Sequence, residues 1–255
     1  MKKHTKTRKE VHEDFWDESL QLSNEIKEKG PVSRNLQSLL ALLINKIDFK
    51  TVAEVGCGQG ARLGYVKKMR PNAMCSGLDI SKTAIAGAKK NYPAFAFEVL
   101  DIEQDSSRKK YDLVLCMDVV EHVKDDKRAL KNIRKMTKKY LILSTIQGRM
   151  RTNEGPEGHL RNYKYSDLIN KIKGSGFNIL EVIEWGYPFY SPIYRDILEI
   201  SDRYTKKTDK KMRSSSLVTS HTSFLLKYFG EILYQIMKLS SSSRGDYIYI
   251  LAEVK

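Results

Sequence analysis

The sequence predicts a doubly wound α/β fold on a seven-stranded, mostly parallel sheet, and three observations predict it. From residue 51 onward, short apolar runs alternate with stretches of helical period, the β-α-β-α order that a parallel sheet requires. One run, Tyr111–Asp118, is nearly all apolar, as a strand covered on both faces must be. A tight glycine run, Gly56-Cys57-Gly58-Gln59-Gly60, joins the first strand to the helix behind it. Glycines there let backbone approach a ligand, and the helix start offers free N–H groups. With 255 residues the chain can bury such a core without a disulfide or metal staple.

Each element follows from its local pattern. Residues 10–29 and 32–47 read as two helices separated by Gly30-Pro31, the second carrying Leu36, Leu39, Leu40, Leu43, Ile44 and Ile47 on one side. Thr51–Val55 is the first strand, and Ala61–Arg70 a helix that stops before Pro71. Ala73–Ile80 is the second strand; Ser81 caps a helix running to about Asn91. Phe95–Asp101 and Tyr111–Asp118 are the third and fourth strands. Residues 125–138 form a helix with Leu130, Ile133 and Met136 inward and lysines outward. Tyr140–Ile146 is the fifth strand, and Ser166 is expected to cap a helix ending near Gly174 and Gly176. Phe177–Trp185 and Tyr247–Val254 complete the seven. Between those last two lie about sixty residues, far more than an ordinary connection, with helices expected near 191–204 and 222–239 around a basic linker that includes Ser214-Ser215-Ser216. The expected organisation is an N-terminal helical segment (1–48), a core (49–185), a helical cap (186–245) and a last core strand (246–255).

Composition narrows the function classes. Hydrophobic residues at 41% and charged residues at 30% exclude a wholly disordered chain. No run reaches the roughly 18 apolar residues of a membrane span. The basic start, Met1–Lys9, has no apolar run behind it and does not read as a secretory signal. Cys57, Cys75 and Cys116 form no CxxC pair, which fits reduced thiols and a cytoplasmic location. The net charge of +14 favours anionic partners such as nucleic acid, phosphorylated substrates or a membrane surface, although solubility explains it as well. The excess concentrates in Met1–Lys9, 124–139 and 203–213.

The glycine run alone is ambiguous, since Gly56-x-Gly58-x-x-Ala61 with Asp79 also satisfies a loose dinucleotide pattern. Three further features decide: Glu54 two residues before the first glycine, Asp101 closing the third strand, and Met117-Asp118-Val119-Val120-Glu121-His122-Val123 after the fourth. With VAEVGCGQG (52–60), GLDIS (77–81), VLDIE (99–103) and YDLVLCMDVVEHV (111–123), the chain resembles class I S-adenosylmethionine-dependent methyltransferases, whose core is Rossmann-like, over roughly 50–185 plus the last strand. The resemblance implies S-adenosyl-L-methionine as cofactor and S-adenosyl-L-homocysteine as product. It implies that Gly56, Gly58 and Gly60 pack against the methionine part, Glu54 serves its amino group, Asp79 holds the ribose hydroxyls and Asp101 meets the adenine amino group. Ile80 and Ile102 would flank the ring, a role that plain core packing explains equally well, and Met117 would line the pocket near the sulfonium. Arg34 loosely resembles an arginine that meets the methionine carboxylate in similar enzymes; an exposed helix arginine is the simpler reading.

Methyl transfer needs an aligned acceptor, and an alcohol or phenol acceptor also benefits from a base. His122 sits past the fourth strand, at the edge where substrates bind, with Glu121 beside it and His159 in the loop after the fifth strand. Asp118-x-x-Glu121-His122 also resembles the acidic-x-x-Glu-His motif of ubiquinone-biosynthesis O-methyltransferases and small-RNA 2′-O-methyltransferases, where it binds a divalent metal. On that secondary reading Asp118, Glu121, His122 and His159 are the ligands, with the short Asp at the first position standing against it. Tyr163, Tyr187, Phe189, Tyr190 and Tyr194 are the candidate acceptor contacts, equally explained as lid packing. The leading expectation is methyl transfer to a small-molecule acceptor, oxygen ahead of nitrogen, with the insertion available for a homodimer. An RNA methyltransferase is the alternative, not favoured because no RNA-binding module is recognisable; a non-catalytic cofactor-binding assembly protein is the third.

Overall fold

The structure, a computed structural model, describes residues 30–156, 158–205 and 230–255. The expected helix at 10–29, the basic segment Met1–Lys9, the linker with Ser214-Ser215-Ser216 and the first part of the expected helix at 222–239 lie outside the described residues.

Helix α1 (Pro31–Ile44) starts with a proline, which suits a first turn because its missing N–H has no helical partner there. Its apolar side, Leu39, Leu40, Leu43 and Ile44, is buried. Seven strands follow: β1 (Thr51–Val55), β2 (Met74–Asp79), β3 (Ala96–Val99), β4 (Tyr111–Met117), β5 (Thr137–Ile146), β6 (Phe177–Trp185) and β7 (Tyr247–Val254). Their order in the sheet is β3-β2-β1-β4-β5-β7-β6. All pairings from β3 to β5 are parallel, while β7 runs antiparallel to both β5 and β6. Strand β4 is buried along its whole length, as its apolar sequence requires.

The helices divide between the two faces. Helices α2 (Ala61–Met69) and α3 (Lys82–Asn91) join α1 in a core with Leu63, Val66, Ile85, Leu113 and Tyr249. Helices α4 (Asp126–Met136) and α5 (Tyr165–Gly174) cover the opposite face through Leu130, Ile133, Leu168 and Ile172. The insertion supplies a short irregular turn (Phe189–Tyr194) and α6 (Arg195–Thr205); a last helix, α7, occupies 230–238. Met237 of α7 is fully buried, and Asn35 of α1 donates to the Tyr234 carbonyl. This helix therefore packs on the α1 side of the sheet.

Two features place the site. The chain moves outward from β1 to β2 and β3, then returns to place β4 on the other side of β1. Ligands bind in the crevice beyond the carboxyl ends of the strands at such a reversal. Strand β7, being antiparallel, begins at that same edge, with Tyr247 opposite Ile146 and Trp185.

The observed cap of α3 is the expected one, with the Ser81 hydroxyl accepting from Ala84 N. Helix α5 departs from expectation: its N-cap is Lys164, not Ser166. The buried Tyr163 ring, whose hydroxyl lies 2.8 Å from Asp126 and 3.0 Å from the Val120 carbonyl, fixes where the chain turns. That tertiary anchor overrides the local capping preference of Ser166. No described helix is long and apolar enough to cross a membrane.

Candidate active site

The glycine run leaves β1 and turns into α2 with Gly56, Gly58 and Gly60 all at left-handed φ, +68°, +53° and +86°. Gly56 and Cys57 both donate their N–H to the Leu78 carbonyl, pinning the loop to the end of β2. A Cβ on Gly56 would collide with the Val119 side chain, so this position needs both the dihedral and the space. Gly58 is different: nothing lies within 4 Å of where its Cβ would be. Its left-handed backbone therefore faces open space, as a ligand cradle does.

Asp79 closes β2. One carboxylate oxygen accepts from Gly58 N at 2.8 Å and the other from Ser81 N at 2.9 Å. Asp101, after β3, accepts from Glu103 N at 3.0 Å. Ile102 packs in the core beneath α4, with its carbonyl accepting from Asn132 Nδ2 at 2.8 Å; Ile80 is half-buried.

Glu54, on β1 just before the loop, is fully buried. Its Oε1 pairs with Arg62 Nη1 at 2.6 Å, while Oε2 has no hydrogen-bond partner among the described residues. Burial raises its pKa to about 7 against the opposing pull of Arg62, with the charges of Asp79 and Asp118 adding to the rise. A buried carboxylate oxygen without a partner is costly, and a cationic amino group in the crevice would relieve it. Arg62 also reaches Asp118 at 3.5 Å. Asp118 is the sole non-glycine residue at positive φ among those described, +60°, and its Oδ1 accepts from the Tyr247 hydroxyl. Ser144 holds the same turn through its carbonyl, which accepts from Asp118 N at 3.0 Å.

A second cluster follows Asp118. The ligand atoms of Glu121, His122 and His159 lie within 4.8 Å of one another, and the two imidazole centroids are 4.6 Å apart, edge to face. Glu121 is fully buried with neither carboxylate oxygen hydrogen-bonded among the described residues. Burial first, and the nearby Asp118 charge second, raise its pKa to about 8. Asp118 is not part of this trio; Arg62 and Tyr247 take its carboxylate, which corrects the four-ligand expectation.

Other expectations are also redistributed. Arg34 pairs with Glu231 and lies 3.6 Å over the Tyr234 ring, joining α1 to α7, and it is Arg62 that pairs with Glu54. Met117 is buried in the core at the end of β4. Tyr163 does not contribute to an acceptor cage: it lies in the core shared with α4 and α5, with its hydroxyl at Asp126. Tyr190 is buried, stacked on Trp185 and Tyr194 and edge-on to Tyr247. Tyr187 is exposed under Arg244, and Phe189 is half-buried.

Sequence reading missed the clamp that holds His159. Arg195 of α6 pairs with Glu154 and, at 2.6 Å, with Asp246; Arg151 reaches Asp196 at 2.8 Å and Asp246 at 3.2 Å. Arg151, Glu154 and Arg195 are buried. His159 N donates to the Glu154 carbonyl at 3.0 Å, so the ion network fixes the loop bearing this imidazole. Five charged residues scattered from 151 to 246 gave no motif; their spacing becomes informative only once β7 sits beside β5.

A family model described as a methyltransferase domain matches residues 53–139. That span runs from β1 through α4 and includes the glycine loop, Asp79, Asp101 and Glu121-His122. Residues 53–139 thus match a methyltransferase domain. It is 31% identical over 124 residues to protein 235L of Invertebrate iridescent virus 6, covering 48% of this chain and 44% of that protein. It is 32% identical over 119 residues to the ubiquinone biosynthesis O-methyltransferase of Bradyrhizobium diazoefficiens, covering 44% of each. The chain thus spans under half the length of the curated relatives it matches. Among solved structures, the N-methyltransferase NodS of Bradyrhizobium japonicum in complex with S-adenosylhomocysteine aligns with a TM-score of 0.56 at 18% identity, over 68% of this chain and 89% of that one. The cyclase SpnF aligns with a TM-score of 0.61 at 16% identity, over 99% and 97%. Likeness at this level concerns the fold.

Proposed function

We propose that the chain binds S-adenosylmethionine and transfers its methyl group to a small-molecule acceptor, to oxygen in preference to nitrogen. The observation that carries this reading is the meeting, at one sheet edge, of a glycine cradle floored by Glu54 with a base cluster of Glu121, His122 and His159. Bound, the cofactor supplies an electrophilic methyl group on a sulfonium. The orphaned Oε2 of Glu54 accepts from its amino group, the open backbone at Gly58 seats its methionine part, and Asp79 accepts from the ribose hydroxyls. Asp101 faces the adenine end from the next strand.

His122 or His159 takes the acceptor proton. Glu121, with its pKa near 8, keeps a carboxyl close to neutrality beside the rings and stabilises an imidazolium when it ionises. The aromatic group of Trp185, Tyr190 and Tyr194 shields the edge from water. A histidine base matters to a hydroxyl acceptor more than to an amine, which must only be unprotonated; this supports oxygen. The curated O-methyltransferase relative supports the same choice.

One experiment tests the whole reading: incubate the protein with methyl-labelled S-adenosylmethionine and a cell lysate, then separate small molecules, lipid, RNA and protein. Label in the small-molecule or lipid fraction is expected. Label confined to RNA or protein overturns the acceptor class, and cofactor binding without any transfer points to the assembly role.

A second reading concerns a divalent metal. One carboxylate and two imidazoles fit an ion such as zinc or manganese, and the unsatisfied Glu121 oxygens are what a cation would satisfy. There it would polarise an acceptor oxygen. A metal-dependent rise in melting temperature that Glu121→Gln removes would support it; full activity in a chelator dismisses it.

A further inference from the structure

On the face of the sheet opposite α1, helices α4 and α5 and the loop 161–164 enclose a groove of about 710 Å³. Its walls carry Lys127 and Lys131 from α4, Arg161 and Lys164 from the loop and Lys171 from α5. Five cations thus face two carboxylates, Asp167 on the wall and Asp126 buried at the foot of α4. Asp126 pairs with both Arg161 and Lys171, while the ammonium groups of Lys127, Lys131 and Lys164 have no ion pair or hydrogen bond among the described residues. Lys127 and Lys131 are four residues apart on one helix face, roughly 5–6 Å between Cβ atoms. These three exposed cations, two on α4 and one just before α5, form a positive row that a polyanion can neutralise.

We propose that this groove docks the phosphate backbone of a single-stranded RNA. The polyanion is argued from the row of unpaired charges and from the lining residues, which are charged, polar or glycine apart from Tyr163, itself buried. A single strand is argued from Tyr165, which is exposed beside Lys164 at the start of α5 and offers a face on which a base can stack. A bilayer fits poorly, because the apolar residues of α4 are all turned into the core. The groove adjoins the base cluster. Arg161 lies two residues from His159 and donates to the Lys124 carbonyl, and Leu160 N donates to the Glu121 carbonyl. A strand bound there would run past the edge where the acceptor reacts. The proposal does not rest on the cofactor reading, since binding is measured without cofactor.

The test is fluorescence anisotropy of the full chain with a labelled mixed-sequence RNA 16-mer across a salt series. The triple variant Lys127→Glu, Lys131→Glu, Lys164→Glu is compared with an equal charge reversal on the other face, Lys68→Glu, Lys89→Glu, Lys90→Glu. Expected for the groove variant are a loss of affinity of roughly tenfold or more and a salt slope shallower by about 2, from three phosphate contacts at about 0.7 each. Expected for the control variant is a change under about threefold. The milder variant, glutamine at the same three groove positions, is expected to follow the same direction, and unchanged circular dichroism shows that either variant is folded. Equal losses in the two triples, or no RNA binding by the parent chain, overturn the proposal. So does a groove dependence seen only with vesicles of anionic phospholipid.

Discussion

Replacing Glu54 with glutamine should leave a signature in pH that no ordinary packing change produces. Its carboxyl is fully buried and titrates near 7, against an ordinary value of 4.5. Between those two values the folded chain holds a proton that the unfolded chain has released. Stability contributed by the neutral carboxyl is therefore complete below about pH 4.5 and is lost as pH rises through 7. The gap converts to about 3 kcal/mol at 1.36 kcal/mol per pH unit. Glutamine has no such proton, so Glu54→Gln should gain on the parent by up to ~3 kcal/mol between pH 5 and pH 8, on top of a constant offset from the altered Arg62 pairing. Urea denaturation of both proteins at pH 5, 6, 7 and 8 measures this. Cofactor affinity should move the opposite way: the parent should bind S-adenosylmethionine more tightly above pH 7, where the carboxylate is ionised, and the variant should bind weakly and evenly across the range. A parent-to-variant stability difference that stays flat from pH 5 to pH 8 refutes the buried, neutral carboxyl, and with it the reason for assigning an amino group to Oε2.

Gly56→Ala places a Cβ at a left-handed φ and against Val119; stability should fall by about 1–3 kcal/mol and cofactor affinity should drop sharply, read by thermal denaturation and calorimetry. His122→Ala and His159→Ala should lower labelled methyl transfer, the true base by about 10²–10⁴-fold, while cofactor affinity changes by less than about threefold. Equal turnover in both variants would remove the histidines from the chemistry. Arg195→Met strands Glu154 in a buried setting and should destabilise by about 3–5 kcal/mol, and adding Glu154→Gln should recover part of that loss in urea titrations.

The parts legible in the sequence are those set by local rules. Strands β1, β6 and β7 match their expected ends, and the Ser81 cap and the left-handed glycines follow from residue chemistry alone. The direction of β7 was not legible, because a strand after a long insertion can return either way. Tyr247 illustrates the consequence. As an alternating strand residue it reads as core, yet the antiparallel pairing brings its hydroxyl to Asp118, more than a hundred residues earlier. Arg62 was hidden for a different reason. It reads as one more cation on a short basic helix, and its role appears only because α2 begins at the glycine loop and leans over Glu54. Tyr163 differs again: an aromatic in a polar loop reads equally as a ligand contact or as lid packing, and the structure gives its hydroxyl to Asp126.

On the proposed function, Asp118 stands between the two halves of the site. Its left-handed backbone is a conformation that costs energy for any residue with a Cβ and that Asp tolerates better than most. Three groups hold it there: Arg62 and Tyr247 on the carboxylate and the Ser144 carbonyl on the N–H. The carboxylate is thereby kept on the Glu54 side, with the glycine loop. The turn then sends Glu121 and His122 toward His159, whose own backbone is tied through Glu154 and Arg195 to the insertion. One residue is thus tied electrostatically to the Glu54 side and sterically to the Glu121, His122 and His159 cluster. Burial first, and the nearby charge of Asp118 second, raise the pKa of Glu121, which unlike Asp118 has no ion pair among the described residues. On the proposed function, the buried carboxyl of Glu121, its pKa raised chiefly by burial, stands beside the two imidazoles that would accept the proton, one turn away from the carboxylate that Arg62 and Tyr247 hold.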